Sequence, residues 1–140
     1  MGAELWSATN YKRLREDALS VERWNRLHPT QQPRTPLVST LLGPDGGPVV
    51  AVSDFLKAVP DQVGRWVPRT FIPLGTDGFG RSDTREKLRT FFEVDMPQVV
   101  VATLWGLAQQ GAVKADLVSE AIAHYGIDPE RPDPRAADLS

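Results

Sequence analysis

Gly75, Gly78 and Gly80 fall within six residues of "LGTDGFGRSDTREKLRTFFEVD" (74–95), beside Asp77, Arg81 and Asp83. Glycines at such density release the backbone into positive φ, and carboxylates among them suggest a phosphate-binding or metal-binding loop. The spacing fits neither. A dinucleotide loop orders its glycines G-x-G-x-x-G and starts its helix inside the motif, whereas here the order is G-x-x-G-x-G with several residues before the helix. No G-K-[ST] follows, so a Walker lysine is lacking. A calcium loop alternates oxygen ligands, but Asp77 and Asp83 stand alone with Arg81 between them. Asp83 followed by Glu86 instead matches a capping box for a helix over 84–92, with the glycines turning the chain from strand to helix. The rival reading is an anion site at that helix N-terminus, through the loop Gly75–Asp83.

Other candidates are few. There are two histidines, His28 and His124, and no cysteine, which removes thiol catalysis, thiolate metal sites and disulfides and fits a cytoplasmic protein. Ser53-Asp54 stands at a strand end, a place that hosts nucleophiles, yet "AVSDF" lacks the G-x-S-x-G elbow and reads as a helix cap. His28, before Pro29 at a helix end, reads as a dipole or hydrogen-bonding residue. The four tryptophans read as core and interface residues. A hydrolase built on Ser53 and His28 is therefore disfavoured, and no catalytic, cofactor-binding or metal-binding residue is assigned.

The elements that must position these residues follow from periodicity. The chain of 140 residues is 41% hydrophobic and 24% charged with net charge −2, an ordinary globular composition. That charge gives no reason to expect nucleic acid, and no apolar run is long enough for a membrane-spanning helix. "AELWSAT" reads as a strand near 3–9. Tyr11, Leu14, Ala18, Val21, Trp24 and Leu27 form one helical stripe, with Asn10 as N-cap. Leu37–Leu42 gives one or two helical turns capped by Thr35 and stopped by Gly43-Pro44. "PVVAVS" (48–53) reads as a buried strand. A helical pattern over 54–67 is interrupted by Pro60, which predicts a kink or two abutting helices. "TFIPLG" (70–75) is a third strand, with Pro73 at its end or on an edge. Two helices follow, the first capped by Asp95 with Gln98 and stopped at Gly111, the second stopped at Gly126.

Strand and helix alternate, which predicts an α/β fold: a parallel or mostly parallel sheet, in three layers, with helices on both faces. Residues 1–128 form the single domain and 129–140 a flexible tail. Three strands make a narrow sheet for this architecture.

"LREDALSVERWNRLHP", "PVVAVSDFLKAVPDQVGRWVP" and "LGTDGFGRSDTREKLRTFFEVD" together resemble the C-terminal end of homodimeric-type pyruvate dehydrogenase. More remotely, the strand–helix order is similar to the transketolase C-terminal domain. The resemblance covers about 3–134. It implies a parent enzyme that decarboxylates pyruvate with thiamine diphosphate and Mg and passes the acetyl group to the lipoyl acetyltransferase component. It also implies a homodimer, and a C-terminal domain whose first strand and helix precede Ala3. The family's G-D-G…N-N cofactor motif does not occur in this sequence; neither "PDGGP" nor "TDGFG" matches it. The resemblance thus implies a non-catalytic domain that binds no cofactor, with an autonomous partner- or anion-docking module as the alternative.

Overall fold

The computed structural model describes the chain except for residues 1, 9, 54–55, 77–86, 89, 91 and 135–140. Helix α1 spans Tyr11–Leu27, α2 Leu37–Leu42, strand β1 Val49–Val52, α3 Ala58–Gly64, β2 Phe71–Leu74, α4 Met96–Gln109 and α5 Ala115–His124. β1 and β2 pair in parallel, with Val49 opposite Phe71 and Val52 opposite Leu74. A parallel pair requires a crossover, and α3 supplies it.

The layers follow from two glycines. A Cβ on Gly64 of α3 would lie 3.1 Å from the Phe71 ring, and one on Gly106 of α4 would lie 3.0 Å from Ile72 Cδ1. Phe71 and Ile72 are successive strand residues and point to opposite faces. So α3 covers one face of the sheet and α4 the other. This is the α/β arrangement with helices on both faces that the alternation predicts. Val38, Val63 and Val67 form the core beside α3, with Tyr11, Leu14 and Phe71 packed on them.

Three expectations are corrected. Residues 2–8 carry no strand; Leu5 is fully exposed. A strand's backbone groups need a neighbouring strand, and among the described residues "AELWSAT" has none. β1 is half-buried rather than covered, with Val52 46% exposed. Pro60 produces no kink, because α3 begins at Ala58 and places the proline in the first turn, where a missing N–H costs nothing.

Caps also differ from expectation in part. Asn10 Oδ1 accepts from Arg13 N–H at 3.1 Å, as its type predicts. Thr35 does not cap α2; Pro36 holds the cap position, and Asp17 on α1 accepts from Leu37 N–H at 2.8 Å. Asp95 precedes α4 without a side-chain cap bond, its Oδ2 accepting instead from Thr90 Oγ1 at 3.1 Å. Gly111 (φ 76°) and Gly126 (φ 65°) follow α4 and α5 in the left-handed conformation that their positions predict.

Candidate functional site

Parallel sheets place ligands beyond the carboxyl ends of their strands. Here those ends are Ser53 and Gly75–Thr76, held side by side by Ser53 N–H donating to Leu74 O at 2.9 Å. Gly75 is buried and Ser53 half-buried. Asp77, Gly78, Gly80, Asp83 and Glu86 lie outside the described residues, as does Asp54, so Gly75 alone of the predicted turn and cap residues is placed. Beyond that stretch, Lys87, Leu88 and Thr90 are helical, within the helix predicted over 84–92.

The structure directs the histidines elsewhere. His28 ends α1, its ring stacked on Trp24 with centroids 4.2 Å apart, and its Nδ1 lies 2.7 Å from Trp24 O. A carbonyl only accepts, so Nδ1 carries the proton of that contact, consistent with the hydrogen-bonding role expected at a helix end. His124 is exposed and meets Tyr125 edge-on. Among the described residues no three His, Cys, Asp or Glu side chains converge as a metal site.

What the polar side chains do accomplish is local assembly. Glu22 on α1 accepts from Arg65 Nη2 at 2.7 Å and Trp66 Nε1 at 2.9 Å, pinning α1 to the end of α3. Asn25 pairs with the Arg34 backbone through both amide atoms, at 2.8 and 3.0 Å, and the Arg34 guanidinium lies 3.7 Å over the Trp24 ring. Arg69 donates to Leu42 O at 3.0 Å and Gly47 O at 3.3 Å, holding the Gly43–Pro48 turn against β2. Gly46 runs so close to it that a Cβ would collide with Arg69 Nη1. None of these partnerships was anticipated from sequence. They join residues 9 to 44 positions apart, and helical or strand periodicity does not report which distant side chains meet.

Among the described residues, the polar side chains near the sheet serve to bind helices together. The "Transketolase-like TK C-terminal domain" description matches residues 1–95, and the chain belongs to that family. Its curated relatives are named "Pyruvate dehydrogenase E1 component", as the three quoted stretches led us to expect. The protein from Pseudomonas aeruginosa PAO1 is 52% identical over 135 residues, 96% of this chain and 15% of the relative. That from Cupriavidus necator H16 is 48% identical over 132 residues, 94% of this chain and 15% of the relative. That from Escherichia coli K12 is 43% identical over 138 residues, 98% of this chain and 15% of the relative. The chain thus spans about 15% of the length of these relatives. Helices α4 and α5 lie beyond the family match but within the 138 residues shared with the Escherichia coli relative.

Proposed function

We propose that this chain is the C-terminal structural and contact domain of a pyruvate dehydrogenase E1 component. The observation that carries the proposal is 52% identity over 96% of the chain to a protein of that name. The whole enzyme decarboxylates pyruvate oxidatively and delivers the acetyl group to lipoyl groups of the acetyltransferase component. Thiamine diphosphate and Mg are held by parts of the enzyme outside these 140 residues. Within the domain, Glu22, Asp17, Asn25 and Arg69 fix helices around the sheet. Compartment follows from the same reading: an enzyme of this type works in the cytoplasm, and among the described residues no helix is long and apolar enough to cross a membrane.

Calorimetric titration of the purified chain with thiamine diphosphate and Mg tests this. We expect no saturable heat. Saturable binding at micromolar cofactor would overturn the non-catalytic assignment. Sulfate or phosphate binding lost on substitution in the 75–83 loop would favour an anion-docking module instead.

A further inference from the structure

Charges of both signs mix along α1 in sequence, and the fold sorts them. Glu22 turns toward α3, where it holds Arg65 and Trp66, and Asp17 turns toward α2, where it accepts from Leu37 N–H. The side left in solvent is cationic. Lys12, Arg15, Arg23 and Arg26 are all exposed, and they stand seven and four residues before, then four and seven residues after, the exposed Leu19. At about 100° per residue the four lie within ~40° of Leu19 around the helix, in a straight stripe about 21 Å long. Lys12 meets Glu16 at 3.8 Å, both side chains being largely in solvent. Among the described residues Arg15, Arg23 and Arg26 form no ion pair.

This stripe runs against the stability of its own helix. The first turn of α1 holds Lys12 and Arg13 and no acidic residue, at the end where the helix dipole is positive. Lys12 and Arg15 are like charges one turn apart, as are Arg23 and Arg26, an arrangement that destabilises a helix. With five cations and three carboxylates, α1 carries +2 in a chain whose total is −2, so basic charge is concentrated here. Local rules broken without a structural return mark sites kept for function.

We propose that the stripe docks an acidic helix of another protein, one bearing an aliphatic side chain with carboxylates four and seven residues to either side of it. The symmetric spacing about Leu19 selects this occupant, because two helices laid side by side then match residue for residue in either direction. Arg15, Arg23 and Arg26 each offer a planar guanidinium fork to a carboxylate. Leu19 buries against the partner's aliphatic group, a contact that a phosphate backbone does not supply. Exposed charges steer and orient the encounter, so binding weakens as salt rises. The surface is built from this chain's own residues and does not depend on the parent enzyme proposed above.

The probe is a fluorescent, alanine-rich peptide of about 15 residues, the length of the stripe, with glutamates four and seven positions on either side of a central leucine. A second peptide of the same composition carries its glutamates on the opposite face. Titrated with the full chain at low salt and followed by anisotropy, the first should bind saturably and at least about tenfold more tightly than the second. Arg23→Glu should weaken binding by about tenfold, an effect that shrinks as salt rises, with a urea midpoint no lower than wild type. Lys114→Glu, the same charge change at an exposed lysine elsewhere, should leave affinity within about twofold. Leu19→Ala should weaken binding about threefold at every salt concentration. Absence of saturable binding by the first peptide, equal binding of the two peptides, or equal losses in Arg23→Glu and Lys114→Glu would overturn the proposal. So would a preference for a single-stranded oligonucleotide of the same charge, which would make the stripe a nucleic-acid surface.

Discussion

Gly106→Ala sets two forces against each other at the contact that joins α4 to the sheet. Alanine is the better helix former by about 1 kcal/mol, so at an exposed position the change would stabilise. At Gly106 the new Cβ would lie 2.6 Å from Pro48 Cβ, 2.8 Å from Pro48 Cγ and 3.0 Å from Ile72 Cδ1. Two of the three atoms belong to a proline ring with no rotamer to retreat into, directly before β1. Relief needs α4 to lift by roughly 1 Å, and overpacking of this kind costs about 1–3 kcal/mol. The propensity gain offsets part of that, leaving a net loss of about 1–2 kcal/mol. Urea unfolding followed by tryptophan fluorescence, with m unchanged, reads it as a lowered midpoint. Thermal scans should show a drop of about 3–8 °C. A midpoint equal to wild type or higher would mean that α4 does not rest on Pro48, and would refute the layer order derived from Gly64 and Gly106.

Asp17→Ala removes the acceptor for Leu37 N–H and should cost about 1 kcal/mol by the same unfolding assay, with Asp17→Asn retaining most of the stability. Burial raises the Tyr11 phenol above its ordinary value, so the unfolded chain loses this proton first as pH rises. Stability should be undiminished below about pH 10, then fall as pH climbs toward the folded-state value, and Tyr11→Phe should flatten that alkaline decline in midpoint-versus-pH curves. Asp83→Ala should lower stability by about 1 kcal/mol if Asp83 caps the helix that follows it. An unchanged midpoint in plain buffer, with strong sulfate stabilisation of the variant, would favour an anion site in the loop.

The α1 stripe, the Asn10 cap, the two paired strands and the glycine stops after α4 and α5 were legible because each rests on local spacing or backbone freedom. Pro60 misled because a proline inside a periodic run is compatible with both a kink and a helix start. The apolar pattern alone does not say which; here α3 begins at Ala58. The N-terminal "AELWSAT" has strand composition, but composition cannot supply the neighbour that a strand requires. Thr35 was a sound local cap candidate that lost to Asp17, an acceptor twenty positions from Leu37 and brought there only by the packing of α1 against α2. Of the candidate site, the hydrogen-bonding role of His28 was readable from its place at a helix end before Pro29, whereas most of the glycine turn lies outside the described residues. The Arg69 clamp and the Glu22 bridge were not legible, since both are properties of the assembled tertiary structure.

A chimera tests the central claim most directly. The 135-residue segment of the Pseudomonas aeruginosa relative that aligns with this chain is replaced by the chain itself, and pyruvate-dependent NADH production is measured with the acetyltransferase and lipoamide dehydrogenase components present. If the chain is the C-terminal domain of such an enzyme, the chimera should retain activity within about tenfold of the parent, a barrier change below about 1.4 kcal/mol. A soluble, folded chimera that binds thiamine diphosphate normally yet produces no NADH would contradict the account.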